Sequence, residues 1–448
     1  MRFMNTGLHF GLSRVDITPQ TPIAMGGYSI RCEPFEEVHD PLSCTILYLS
    51  DGNREVWIGS ADLVQFPDGA ARDAGIESLC RRLGCGAESV FLNATHTHGG
   101  PLTVVDFGIP NTFNLTARSG ESRQRVEAYC ATLWQQIGDA MEAARTSARP
   151  GSLSWAEGNT SFPMNRRHRT PKGVINAPNP TGPVDNRLRL IGVKDRHDTL
   201  QAILPILACH PTATGAQRKI TADFVGAWRK QFETRHPHVT MLFLQGCGAD
   251  ARPAATADGD RWKTLPHDAL EALGAHLTAE TESAIKAGWK SLGTPGIAGG
   301  YTELQLPCAG LVNDTEKMRE LASNPNPWMA DFGRECLRRL NTGERIPDHV
   351  PLRLYGIKLA SGCTLLGMDC EPLYGLGRHL ETTLAAFHPV VLGYTNGCTG
   401  YVPDTAALYE GGYECESYLW GPWSGPLLPH LEHLIEAAAR NLLKTLSI

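Results

Sequence analysis

Short runs of β-branched and aromatic residues alternate along this chain with longer stretches whose apolar residues recur every three or four positions, a pattern that points to the α/β class. Residues 45–49 (Thr-Ile-Leu-Tyr-Leu), 56–59 and 90–92 read as strands, with a helix over 68–82 between the last two. From 120 to 145, Val126, Tyr129, Leu133, Ile137 and Met141 keep helical spacing, and the pattern stops before Pro150. Further strands are expected at 188–193, 202–208, 241–244, 352–357 and 390–393, and helices at 222–235, 268–287 and 428–446. No internal repeat is visible, which argues against an eight-fold barrel or a solenoid. With no Gly-, Ser- or Pro-rich linker, the expectation is one domain over 1–448, a mixed β-sheet core flanked by helices. Stretches at 99–118, 159–186 and 396–425 exceed ordinary connection lengths and are expected to be functional loops.

A formal net charge of −6 gives no global positive field, so nucleic acid is not an expected partner and a small molecule is. The first residues contain no apolar run of the kind a secretion signal needs, and no window approaches a membrane span. Thirteen cysteines, an odd number without a C-x-x-C pair, fit reduced thiols and a cytoplasmic protein. Asn-x-Ser/Thr triplets at Asn93, Asn114 and Asn159 carry weight only in an exported chain.

Polar chemistry gathers where apolar runs end. His96 and His98 follow the run at 90–93, and in extended backbone an i,i+2 pair points both imidazoles to one side. Imidazole is the commonest zinc ligand, although histidines in a Thr-Gly loop also serve simply as backbone hydrogen-bond partners. His210 ends the next apolar run, 202–208, just before Pro211. A third junction, 243–253, carries Gly246 and Gly248, whose peptide N–H groups are candidates to receive an oxyanion, with Asp250 as a helix cap in the alternative. It lacks the Lys-Ser/Thr ending of a phosphate loop. At a fourth, 365–372, Asp369 and Glu371 are each a candidate ligand or cap, and spacing does not choose between them.

In their order, several segments resemble the zinc-binding catalytic domain of the neutral/alkaline, non-lysosomal ceramidase family. They are Val15-Asp16-Ile17-Thr18-Pro19, Met25-Gly26-Gly27-Tyr28, His39-Asp40-Pro41-Leu42, the A-T-H-T-H core within 93–101, Asn165-Arg166, Gly182-Pro183-Val184-Asp185, 245–253 and 401–413. The resemblance runs to about Trp423. It implies a Zn2+ cofactor held by His96, His210, Glu371 and Tyr401, with His98, Arg166 and Tyr413 around the scissile carbonyl. The expected activity is zinc-dependent hydrolysis, by water, of an amide-type (N-acyl) or related bond. The chain departs from the family in having Gly246 and then Cys247 where ceramidases carry a serine after the glutamine. It also ends soon after its last helix, without the immunoglobulin-like C-terminal domain or a secretion signal, so ceramide itself is not the expected substrate. Two alternatives remain open. One is hydrolysis of a carbohydrate or other polar substrate, with Tyr409, Tyr413, Tyr418, Trp420 and Trp423 as stacking surfaces; the other is a non-catalytic zinc- or ligand-binding protein on the same scaffold.

Overall fold

The computed structural model describes residues 7–28, 31, 33–104, 120–419, 421 and 423–447; Asn114 and Trp420 lie outside the described residues. A ten-stranded sheet runs in the order Thr240–Met241, Leu200–Leu207, Arg187–Asp195, Arg149–Asn159, His9–Asp16, Ser43–Ser50, Glu55–Ala61 and Val90–Ala94, with Leu244–Gln245 and Lys290–Ser291 pairing off this path. Val90–Ala94 is parallel to Glu55–Ala61, and both Thr240–Met241 and Leu244–Gln245 are parallel to Leu200–Leu207. The other pairings are antiparallel, so the sheet is mixed. A second sheet of four strands has the order Pro295–Pro307, His349–Ala360, Cys363–Met368 and Pro389–Leu392.

Helices cover both sheets because each presents one apolar stripe. Val126, Tyr129, Leu133, Ile137 and Met141 of the helix Gly120–Thr146 are all buried; the last four pack with Leu79 and Leu83 of Gly69–Leu83 against Ile46 and Trp57, and Val126 packs with Ala24 and Leu102. Asp223–Arg235 and Leu270–Ala287 bury Trp228, Phe232 and Leu277 on Ile203 and Leu207. Tyr374–Thr383 and Leu431–Thr445 bury Leu376, Leu380 and Ile435 against Leu352 and Leu366 of the second sheet. Between the sheets, Ile58, Phe91, Leu204, Ile206, Ile357 and Leu365 form a common core. The α/β class and the mixed sheet flanked by helices therefore match the sequence pattern. Among the described residues, no helix is long and apolar enough to cross a membrane.

The two sheets meet at the C-terminal end of Val90–Ala94. Asn93 is fully buried; its Oδ1 accepts the Gln245 N–H at 2.7 Å and its Nδ2 donates to the Gly393 carbonyl at 2.7 Å. Backbone bonds from Ala94 N–H to Tyr394 O, from Asn396 N–H to Leu92 O and from Gly393 N–H to Gln245 O complete the joint. One amide side chain thus ties together three strand ends from distant parts of the sequence.

Three sequence expectations need correction. The stretch 159–186 is not irregular: it folds into the antiparallel hairpin Pro163–Thr170 and Gly173–Asn179. Its strand residues Asn165, Arg166, Arg167, His168 and Arg169 give no apolar alternation to read. The strand expected at 241–244 is broken into Thr240–Met241 and Leu244–Gln245. Within 396–425 a short helix, Thr405–Glu410, begins with the Asp404 carboxylate accepting the Ala407 N–H. Patterning also passes over Pro295–Pro307 and the helix Pro327–Thr342, although Asn326, Pro327 and Gly343 supply that helix with an N-cap, a first residue and a left-handed C-cap.

Replacing Asn93 with Ala leaves the buried Gln245 N–H without a partner and the Gly393 carbonyl with the Thr395 hydroxyl alone. Unfolding by denaturant should show a loss of about 2–4 kcal/mol, on the scale of roughly 1–3 kcal/mol per orphaned group; a loss below about 1 kcal/mol would contradict the joint.

Candidate metal centre

His96 lies two residues beyond the strand Val90–Ala94, in left-handed backbone at φ 66°. This differs from the extended conformation expected from the sequence, and such strain in a non-glycine residue persists only where its surroundings enforce it. Here the enforcing contact is the imidazole Nδ1, which donates to the Val64 carbonyl at 2.8 Å. His210 follows the strand Leu200–Leu207, and its Nδ1 donates to the Gly248 carbonyl at 2.9 Å. Gly248 must be glycine there, since a Cβ would stand 2.4 Å from the Ala208 carbonyl carbon. Carbonyl oxygens only accept, so each bond fixes the proton on Nδ1 and leaves Nε2 with a bare lone pair.

Those lone pairs face each other. The Nε2 atoms of His96 and His210 are 3.2 Å apart, and Glu371 Oε2 is 3.2 Å from each. His98 Nε2 lies 3.3 Å from His96 Nε2, and the three histidines form a group able to hold a metal ion. Desolvation, then the Arg166 charge, depresses His210 to about 4, while desolvation and the neighbouring imidazoles hold His98 well below the usual histidine range. Converging acceptors are mutually repulsive unless a cation sits among them. Ligand atoms about 2.0–2.1 Å from a tetrahedral zinc stand about 3.3–3.4 Å from one another, so this donor set fits the ion.

The remaining expected residues fall on one side of this cluster. Glu371 and Tyr401 are register partners in a short parallel pair, Glu371–Pro372 beside Tyr401–Val402. Arg166 Nη2 donates to the Tyr401 hydroxyl at 3.0 Å, and its Nε donates to Glu414 Oε1 at 2.9 Å. The Tyr401 and Tyr413 rings meet edge to face at 5.5 Å, both within 6 Å of the Arg166 guanidinium. Tyr413 is 44% exposed, yet desolvation at its hydroxyl end pushes its pKa up to about 12, so the phenol keeps its proton.

Asp369 and Glu371 separate cleanly. Asp369 pairs with Arg72 at 2.9 Å and accepts the Arg353 N–H, away from the histidines, while Glu371 faces them. The two glycines do not offer an oxyanion site: the N–H groups of Gly246 and Gly248, and that of Ala249, are bonded to Leu207, Gly246 and Pro372 carbonyls. Asp250 accepts the Tyr374 N–H at the start of the helix Tyr374–Thr383, which is the capping alternative. Cys209, Cys247, Cys370 and Cys398 are buried, and desolvation holds all four thiols well above the usual range, so none is a nucleophile. Of the loop aromatics, Tyr418 packs on Phe332 and Trp423 packs against the core of the second sheet. Tyr409 and Tyr413 are the exposed ones.

Sequence reasoning missed Tyr394, a fully buried residue in left-handed backbone whose ring lies 4.2 Å from that of His96 and whose hydroxyl donates to Glu371 Oε2 at 3.5 Å. It also missed Glu414, which holds Arg166 and, at 2.6 Å, Arg167. Tyr394 follows the strand Pro389–Leu392, so the strand-end rule applied to His96 and His210 also points to it.

No protein-family model matches the chain, and no curated protein does either. Solved structures do. A neutral ceramidase from Pseudomonas aeruginosa superposes with a TM-score of 0.69 at 17% identity, over 98% of this chain and 75% of that one. A structure described as ceramidase complexed with C2 gives a TM-score of 0.69 at 16% identity, over 99% of this chain and 76% of that one. The chain therefore has the fold of the neutral ceramidase structures.

Proposed function

We propose that this chain is a zinc-dependent hydrolase that uses water to cleave an amide-type (N-acyl) bond in a small molecule. The observation carrying this reading is the convergence of the bare Nε2 atoms of His96 and His210 with the Glu371 carboxylate. The likeness of fold to ceramidase structures supports it.

His96, His210, Glu371 and Tyr401 are the assigned ligands. His98 is separated from them by its other nitrogen: Nδ1 is buried without a partner, whereas His96 and His210 are each anchored through theirs. An unanchored imidazole is free to take and return a proton, so His98 is assigned to that role and to hydrogen bonding at the reacting carbonyl. A bound zinc supplies Lewis acidity and brings water ionisation to about neutral pH. The protein residues do the rest. Arg166, held by Glu414, and Tyr413, held protonated by desolvation, present donors where negative charge develops on the carbonyl oxygen. Tyr394 donates its hydroxyl to Glu371 Oε2, the carboxylate oxygen that faces the two histidines. The described cysteines are free thiols, which favours a reducing compartment such as the cytoplasm.

Elemental analysis of tag-free protein tests the ligand set: zinc should be present in the parent and drop by about one equivalent per chain in both His96→Ala and His210→Ala. A metal-free parent would leave a binding protein on a shared fold. His98→Ala should keep the parent's zinc content and lose turnover by about 10²- to 10⁴-fold on N-acyl substrates, the usual contribution of a positioned acid or base. Loss of metal in that variant would instead make His98 a ligand.

A further inference from the structure

Buried arginines in this fold are normally neutralised. Arg72 is paired with Asp369, Arg166 and Arg167 share Glu414, Arg189 binds Asp185 and Glu381, and Arg229 binds Asp62. Arg31 has no carboxylate but donates to the carbonyls of Gly26, His98 and Gln217. Arg252 is different. Among the described residues its one hydrogen bond runs from Nη2 to the Thr212 carbonyl at 3.2 Å, and its Nε is buried with no partner. Among the described residues no carboxylate lies within ion-pair distance of it. Its guanidinium is held in place by the Trp262 ring at 4.9 Å, so it is a fixed cation whose donors are not used up.

Its position makes this informative. Arg252 belongs to the short strand Ala251–Pro253, which pairs with Pro163–Asn165 immediately before Arg166, and Thr212 is two residues beyond His210. Tyr28 stands on the same side: its ring meets His98 edge to face at 4.8 Å, and its hydroxyl is also buried without a partner. The largest charge acting on that phenol is Arg252. Gly27, at φ 89°, brings the chain so close to His98 that a Cβ would lie 2.5 Å from the imidazole Cγ, which fixes Tyr28 beside it. His96 and His210 are closed off from solvent, whereas Tyr28, His98 and Arg252 each keep some exposure, with the Tyr28 hydroxyl and Arg252 Nε themselves buried. An unneutralised, largely desolvated guanidinium costs free energy that a bound anion recovers, and desolvation lowers the Arg252 pKa in the same sense.

Resting on the hydrolase reading above, we infer that Arg252 and Tyr28 form an anion subsite at the mouth of the metal centre, so that the substrate carries a carboxylate or phosphate group beside its N-acyl bond. A planar oxyacid group accepts two N–H bonds from the guanidinium edge and one O–H bond from the phenol. An N-acyl amino acid has the required arrangement of a negative group next to the scissile amide. A sphingolipid amide has no such charge, in keeping with the divergence of this loop at Gly246 and Cys247.

The test uses the zinc-loaded protein and two small probes that cannot be hydrolysed. 4-Oxopentanoate has a methylene in place of the amide nitrogen of N-acetylglycine, and 4-oxopentanamide is its uncharged counterpart. Calorimetric titration should show the acid binding about 10- to 100-fold more tightly than the amide, the scale of one charge-assisted hydrogen-bond set. That preference should collapse in Arg252→Gln and fall partway in Tyr28→Phe, which removes only a hydroxyl. Titration with methyl phosphate separates the two anion chemistries: whichever of it and the oxopentanoate loses more affinity in Arg252→Gln names the substituent. Equal affinity for acid and amide in the parent, or an acid preference that survives Arg252→Gln, overturns the subsite. Because binding is read without turnover, a protein that passes this test but hydrolyses no N-acyl compound keeps the subsite and loses the hydrolase assignment.

Discussion

The buried Asn93 side chain is the interaction on which the geometry of this molecule depends. By accepting the Gln245 N–H and donating to the Gly393 carbonyl, it joins strand ends that lie about 150 and 300 residues away along the chain. Each of those ends leads into a segment that serves the centre: His96 after Ala94, the Gly248 carbonyl and Asp250 after Gln245, and Tyr394 after Gly393. An apolar residue would fill the space but leave the buried Gln245 N–H unsatisfied and take one of two donors from the Gly393 carbonyl, so the joint has to be polar. The placement of His210 follows, since its imidazole is set by the Gly248 carbonyl three residues beyond the Gln245 that this amide holds.

How much of this was legible in the sequence depended on the kind of signal. Apolar runs ending in His96, His210 and Glu371 could be read, because strand ends open towards ligands in α/β sheets and those residue types bind metals. Spacing alone left Glu371 and Asp369 open, since both acids follow the same strand; the resemblance implied Glu371, and the fold shows that Arg72 neutralises Asp369. The hairpin carrying Arg166 was invisible for a different reason: its strands are built from polar residues whose partners, Glu414 and Glu410, come from about 240 residues further on. Periodicity reports burial of apolar surface, and that hairpin is held by charge.

Charge pairing also explains which arginines matter. Arg72, Arg189 and Arg229 are buried against carboxylates remote from the histidines, and removing one partner of such a pair typically costs about 3–5 kcal/mol, so their worth is structural. Arg166 is paired as well, but Glu414 occupies only part of its donor fork, leaving Nη2 for the Tyr401 hydroxyl. The same accounting leaves Arg252 with donors to spare.

The Gly246 position ties the loop's divergence to packing. Gly246 sits in an isolated bridge with Leu392, and its N–H is bonded to Leu207 O. A Cβ there would approach the Ala208 Cβ to 3.2 Å, a tight contact even before a hydroxyl is added. A serine at this position would therefore need the strand leading to His210 to shift by a few tenths of an ångström, with the His210 imidazole moving along with it. Glycine lets that strand sit close and keeps the Gly248 carbonyl within bonding distance of His210 Nδ1. Buried donors without a partner among the described residues lie elsewhere, Tyr28 and Arg252 among them.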